Sequence, residues 1–184
     1  MVVDVMRYDE YVKVLANQKD TFLLRHETIE QSSAIMIELF RHAKKELKLY
    51  DYTLDSSTVG KLPEDGLNQN PFSHVYNFLQ DGKNLKILIK DQAEISSEIY
   101  FALKHYNSIF PKQIDIKIAD TNNVPTDHYF AVNDAAGFRL ELQAKHNAND
   151  IVKAAASFND PVNSKRLNNA FDARFEHTSL KVEL

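Results

Sequence analysis

Alternating helix and strand patterns between residues 28 and 120 constrain the fold of this chain more than any other feature. Residues 84–91, NLKILIKD, form an apolar run of strand length, typical of a strand buried on both faces of a parallel sheet. The other periodic segments are helical at 28–47, 71–82 and 95–106 and strand-like at 47–54 and 113–120. Thr28 followed by Gln31 predicts a capping box at the first helix. This order predicts right-handed crossovers between parallel strands.

The remaining segments continue the same domain with shorter strands. Strand patterns are expected near 21–25, 127–134, 137–144 and 150–158, and a closing helix over 160–177. The closely spaced strands of the second half resemble a meander. We therefore expect a single α/β domain over residues 1–184, with its core at about 22–178. Its sheet is predicted to be mixed but mainly parallel, with helices on both faces and a binding edge at the carboxyl ends of the strands.

Composition excludes several classes of function. The chain has no cysteine, which rules out disulfides, thiolate metal ligands and a cysteine nucleophile. The net charge of -4 argues against a dedicated nucleic-acid protein, although a local basic face remains open. No apolar run approaches the roughly 20 residues that span a bilayer, and the first residues do not read as a signal peptide. We expect a cytoplasmic protein that does not bind or span a membrane.

Motif searches predict neither a metal nor a cofactor. The seven histidines are scattered without an i, i+4 pair, and HExxH is absent. A phosphate-binding loop, G-x-G-x-x-G and G-x-S-x-G are absent as well. These absences lower the expectation of a nucleotide triphosphatase, a dinucleotide enzyme or a serine hydrolase.

Residues 127–134, DHYFAVND, resemble the catalytic strand of the phospholipase D-like superfamily. That strand carries His-x-Lys, then four residues, then Asp, and the Lys is often followed by Phe-Ala-Val. Matching Phe-Ala-Val to residues 130–132 places Asp134 on the motif Asp, Tyr129 on the Lys and Asp127 on the His. FLQDGKNLKILIKD at 78–91 and ASFNDP at 156–161 extend the resemblance, which covers about residues 22–178.

The resemblance implies a site that has lost its chemistry. In active members the His attacks phosphorus, the second His of a dimer protonates the leaving group, and the Lys binds phosphate oxygens. A carboxylate and a phenol replace these groups poorly, and the expected Gly-Ser-x-Asn falls on ELQA at 141–144. We therefore predict a homodimeric binding or structural module that lacks catalysis. Its pocket is expected to be lined by Asp127, Tyr129, Asn133, Glu141 and Asn159.

Two alternatives stay open. In the first, His128 is the nucleophile of a weak phosphodiesterase or nuclease and Asp134 orients it, but a one-residue slip then turns every side chain to the opposite face. In the second, the basic segments 41–48 and 163–174 bind nucleic acid or another phosphate-containing ligand. Each alternative has a plainer interpretation. In the plainer interpretation of the first, His128 forms a hydrogen bond with a neighbouring group at a strand end, and Asp134 starts a turn. In that of the second, the basic groups are solvated near a helix C-terminus.

Overall fold

A computed structural model describes residues 6–61, 70–90, 92–119, 128–142 and 153–184. The helices are α1 Tyr8–Gln18, α2 Ile29–His42, α3 Ser56–Val59, α4 Ser73–Gln80, α5 Ser97–Ile109 and α6 Pro161–His177. The strands are β1 Leu24–His26, β2 Glu46–Asp51, β3 Asn84–Ile89, β4 Ile114–Ile118, β5 Phe130–Asn133, β6 Phe138–Glu141 and β7 Ala154–Ser157. A single 3-10 turn, Gln92–Glu94, precedes α5.

The described strands form one seven-stranded mixed sheet in the order β1-β7-β6-β5-β2-β3-β4. The predicted α/β class and mixed sheet are confirmed. The expectation of a mainly parallel sheet holds only for β2, β3 and β4, because the other four strand pairings are antiparallel. The cause is the meander: residues 134–137 join β5 to β6, and so short a link permits only an antiparallel neighbour.

Helix α2 is the central helix of one face of the sheet. The capping box predicted at its start is confirmed, since Thr28 accepts from the Gln31 amide and the Gln31 side chain accepts from the Thr28 amide. Residues 32–40 of the helix are all buried, because α1, α3 and α4 pack around it and the sheet lies beneath it. Gly137 lets the β5–β6 turn approach α2, since a Cβ there would lie 2.8 Å from Leu39 Cδ2.

Helix α6 covers the opposite face, which confirms helices on both faces. Phe171 and Phe175 stack with ring centroids 5.1 Å apart and pack in one apolar cluster with Tyr50, Leu88 and Phe130. Burying such aromatic rings supplies much of the stabilisation on this side of the sheet. Among the described residues, no helix has the length and apolar character that crossing a membrane requires.

The ends of the parallel strands form two borders of the sheet, which we call the carboxyl edge and the amino edge. The two borders differ in chemistry. The carboxyl edge is defined by the last residues of the parallel strands, Asp51, Ile89 and Ile118. The amino edge is defined by their first residues, Glu46, Asn84 and Ile114. Because β5 is antiparallel to β2, it begins at the carboxyl edge and ends at the amino edge.

Candidate functional site

Four titratable side chains are buried together at the carboxyl edge on the α2 face. His26, Asp51, Arg139 and Glu141 are each no more than 5% exposed. We call them the buried cluster. Strand register brings three of them to one face, since Ala154 of β7 lies between His26 and Glu141, and Ala156 lies beside Arg139. The small alanines leave room for the long side chains next to them.

The guanidinium of Arg139 is bound within this cluster. Its Nε donates to Nε2 of His26 at 3.2 Å, and Nη2 donates to Oε1 of Glu141 at 3.1 Å. A nitrogen that accepts from an arginine carries no proton, so the imidazole of His26 is neutral. The pKa of His26 is lowered to about 3, first by burial and then by the positive charge of Arg139.

Asp51 holds the segment that follows β2. Its Oδ1 accepts from the amides of Tyr52 at 2.7 Å and Thr53 at 3.4 Å. Its Oδ2 accepts from the hydroxyl of Thr58 at 3.4 Å, which links α3 to the end of the strand. The carboxyl group of Asp51 therefore fixes the backbone that follows β2 at the carboxyl edge.

The pKa of Asp51 is raised to about 7, first by burial and then by the negative charge of Glu141. Arg139 acts in the opposite direction, and Asp55 adds a further upward shift. One guanidinium thus stands near more than one buried carboxylate. Asp51 can therefore hold or release a proton near neutral pH, which is a property of groups at functional sites and in structural networks alike.

Tyr129 lies inside a group of tyrosines instead of reaching into solvent. It is 4% exposed, and its ring centroid is 5.4 Å from that of Tyr50 and 6.1 Å from that of Tyr52. Lys90, at the end of β3, places its Nζ 4.9 Å from the centre of the Tyr52 ring. The position that the resemblance assigns to a phosphate-binding lysine is therefore filled by a packed phenol.

His128 lies beside Tyr129 but is exposed. Its Nδ1 is 2.9 Å from the backbone carbonyl oxygen of Glu141. A carbonyl only accepts, so Nδ1 carries a proton and Nε2 is the ring nitrogen that this bond leaves available. This contact matches the plainer interpretation of His128 as a residue bonded at a strand end. Asp127, the other predicted residue of this segment, lies outside the described residues.

Asn133 lies at the opposite end of β5, on the amino edge. Its Nδ2 donates to the carbonyl of Leu39 at 3.0 Å, and its Oδ1 accepts from the amides of Ala135 and Gly137. At about 3.3 Å per residue, four residues separate it from Tyr129 by about 13 Å. Asn133 therefore shapes the β5–β6 turn and does not line a pocket together with Tyr129.

Asp134 and Asn159 also lie at the amino edge. Asp134 accepts from the amides of Lys44 at 2.8 Å and Lys45 at 2.9 Å, one at each carboxylate oxygen. Asn159 is half-buried, and its backbone amide donates to Ser157 Oγ at 3.4 Å. The structure thus divides the predicted pocket between two edges. Asp134 is bound to a turn and does not orient His128.

Sequence reasoning missed three of the four residues of the buried cluster. Arg139 and Glu141 alternate with the apolar Phe138 and Leu140 along β6, so two charges share one strand face. The partner strand, AAAS at 154–157, offers only small side chains to that face. Large charged residues opposite a run of alanines were the available signal for a buried ionic pair. Within the described parts of the chain, no group of three or more His, Asp or Glu is placed to hold a metal ion.

Comparison with known proteins identifies the fold. No family model matches the sequence, and no curated protein matches it. Nuc from Salmonella typhimurium, a phospholipase D family member, superposes with a TM-score of 0.60 at 11% identity, covering 89% of this chain and 99% of Nuc. NucT from Helicobacter pylori superposes with a TM-score of 0.51 at 9% identity, covering 86% of this chain and 99% of NucT.

A third similar structure is TrmBL2, an archaeal chromatin protein described as having a novel mode of DNA binding. Its TM-score is 0.60 at 15% identity, and the match covers 95% of this chain and 60% of TrmBL2. Identities this low establish the fold alone. The protein has a phospholipase D-like fold, as the resemblance of residues 127–134 predicts.

Proposed function

We propose that this protein is a phospholipase D-like binding module that does not perform histidine–lysine phosphodiester hydrolysis. The observation that carries the proposal is the burial of Tyr129 against Tyr50 and Tyr52. The resemblance assigns Tyr129 to the position of the motif lysine, and a packed phenol brings no positive charge to a phosphate. Transition states of phosphoryl transfer gather negative charge, and they require cations or strong donors aimed at that charge.

The electrostatics of the buried cluster support the same conclusion. Arg139 is already bound to Glu141 and His26, and moving it toward a phosphate would leave the buried Glu141 carboxylate without this partner. The pKa of Asp51 is raised by burial and by Glu141, so this region already disfavours one negative charge. A phosphodiester would add another.

A phosphodiesterase that uses His128 is the second candidate, and one contact favours it. The bond from Nδ1 to the Glu141 carbonyl leaves Nε2 as the acceptor nitrogen of an exposed ring. A nucleophilic histidine needs this tautomer. In that case the buried cluster would hold the backbone of β6 that orients the ring.

A homodimer is part of the proposal. Its support is the resemblance to single-motif members, in which two copies of the motif meet across a dimer axis. Sedimentation equilibrium at several protein concentrations tests it. A mass of about twice the 21.1 kDa of the chain is expected, and a monomer at all concentrations would contradict it.

Hydrolysis assays decide between the two candidates. The wild-type protein, His128→Ala and His105→Ala are incubated with bis(p-nitrophenyl) phosphate and with single-stranded DNA. His105 is an exposed histidine on α5 and serves as the matched control. The proposal predicts no turnover above the buffer rate for all three proteins. Turnover that disappears in His128→Ala and persists in His105→Ala would establish the second candidate instead.

A further inference from the structure

The amino edge carries a lysine before each of the three parallel strands. Lys44 and Lys45 precede β2, Lys83 precedes β3 and Lys112 precedes β4. We call these four residues the lysine row. Neighbouring strands lie about 4.8 Å apart, so the backbone segments that carry the row follow one another at regular spacing across the sheet.

Hydrogen bonds join the segments that carry the row. The carbonyl of Lys45 accepts from the Asn84 amide at 2.8 Å, and the carbonyl of Lys83 accepts from Gln113 Nε2 at 2.8 Å. These bonds place each lysine beside the turn that holds the next one. The row is therefore carried by segments that are hydrogen-bonded to one another.

The row continues toward helix α6. Asp134, which binds the amides of Lys44 and Lys45, belongs to the β5–β6 turn. The carbonyl of Ala136 in that turn accepts from the Asp160 amide at 2.9 Å. Asp160 is the N-cap of α6, and the exposed Lys165 and Arg166 follow in the second turn of this helix.

Most of these cations form no ion pair within the described residues, although Arg166 lies near enough to Asp160 to help lower the pKa of that carboxyl group. Lys44, Lys45, Lys112, Lys165 and Arg166 are exposed, and none forms an ion pair with another described residue.

Three exposed or half-buried acids at this edge are bound to the protein itself. Asp134 is held by two amides, Asp160 is held by the amide and side chain of Asn163, and Asp81 pairs with Lys83 at 3.0 Å. These carboxylates keep their charge, and Glu46 at the same edge pairs with Lys48 and Lys86. The lysine row together with Lys165 and Arg166 outnumbers Asp81, Asp134 and Asp160, so these described residues carry a net positive charge although the whole chain carries -4.

Helix dipoles explain only part of this arrangement. A cation after the last turn of α2, α4 or α5 suits the negative helix end. Lys165 and Arg166 lie toward the positive end of α6, where the dipole does not favour cations. All these residues lie at the amino edge of the sheet, whereas their positions relative to the helix ends differ.

We propose that the amino edge binds the phosphate backbone of a nucleic acid, with the lysine row and the Lys165–Arg166 pair as its contacts. This inference deepens the proposed function by naming the ligand class, and it rests on a surface away from the carboxyl edge. A line of exposed cations fits a chain of regularly spaced phosphates. Stable attachment to a lipid surface generally adds buried apolar area or a lipid chain to the electrostatic attraction. Such contacts position a nucleic acid without reading its sequence.

Fluorescence anisotropy with labelled 20-nucleotide single-stranded DNA tests the proposal over a range of salt concentrations. The row variant is Lys44→Gln/Lys45→Gln/Lys112→Gln. The matched control is Lys13→Gln/Lys104→Gln/Lys153→Gln, which removes three exposed lysines away from the amino edge. We expect the row variant to bind at least about tenfold more weakly at low salt. Its slope of log affinity against log salt should be shallower by about 2, at about 0.7 per lost contact. The control should bind like the wild type.

Three results would overturn the proposal. They are the absence of wild-type binding at 50 mM salt, an equal loss in the control variant, and binding to phosphatidylglycerol vesicles without binding to DNA. Hydrolysis through His128 would instead overturn the proposed function, so the two failures are distinguishable. Two 20-nucleotide DNAs of different sequence should bind alike, and a strong preference for one would contradict backbone recognition.

Discussion

Arg139 donates a hydrogen bond of 3.2 Å from its Nε to Nε2 of His26, and both side chains are buried. The two residues are 113 positions apart in the chain, and β7 lies between their strands in the sheet. A neutral imidazole thus serves as an acceptor inside the protein. The bond ties the edge strand β1 to the centre of the candidate site.

Removing this acceptor should destabilise the protein. His26→Leu leaves a buried guanidinium N–H without its partner, which costs about 1–3 kcal/mol. His26→Gln keeps an acceptor oxygen and should recover part of the loss. Urea unfolding at pH 7.5 measures both free energies. Equal stabilities of the Leu and Gln variants would show that the hydrogen bond contributes nothing.

Acid should weaken the protein through the same residue. The pKa of His26 is lowered to about 3, below its ordinary value of about 6.5, so the unfolded chain binds the proton more readily. Stability from the neutral ring is complete above about pH 6.5 and declines as the pH falls, by about 1.4 kcal/mol per unit. The unfolding free energy of wild type relative to His26→Gln should therefore fall between pH 7 and pH 4.5. A constant difference would contradict the lowered pKa.

Asp51 should show the opposite dependence on pH. Its folded pKa of about 7 exceeds the ordinary value, so the folded state holds the proton over the interval between the two. Wild type should therefore lose about 3 kcal/mol relative to Asp51→Asn as the pH rises from 5 to 8. Denaturant unfolding of both proteins at the two pH values measures it. An unchanged difference would indicate that Asp51 is ionised throughout.

Asp134 is expected to act on stability and not on catalysis. Asp134→Ala removes the acceptor of two backbone amides at the α2–β2 connection, and a loss of about 1–2 kcal/mol is expected. Asp81→Ala removes an exposed carboxylate with a single surface ion pair and should change stability by less than about 0.5 kcal/mol. Thermal unfolding of both variants makes the comparison. A similar small effect of both would show that the two amides do not depend on Asp134.

Local patterns were enough to predict the framework of the fold. The capping box at Thr28 and the apolar strand over 84–91 are local signals, and both correspond to observed elements. The proportion of parallel pairing was harder to predict, because it depends on which strand lies beside β2. Antiparallel β5 occupies that place.

The site was less predictable because it depends on contacts between distant parts of the chain. Tyr129 and Asn133 are four residues apart in sequence, yet the length of β5 puts them at opposite edges. Arg139, His26 and Asp51 come from three separate strands, and no local motif marks them as neighbours. The buried cluster arises from strand register, which single-sequence patterns leave undetermined.

The central claim is that the phospholipase D-like fold of this protein lacks a nucleophilic histidine. The most direct test is a single-turnover incubation with bis(p-nitrophenyl) phosphate, with the protein in excess. The release of p-nitrophenolate and the mass of the intact protein are followed together. The account predicts no burst of p-nitrophenolate and no covalent phosphoryl adduct. A stoichiometric burst with a matching mass increase, both absent in His128→Ala, would contradict it.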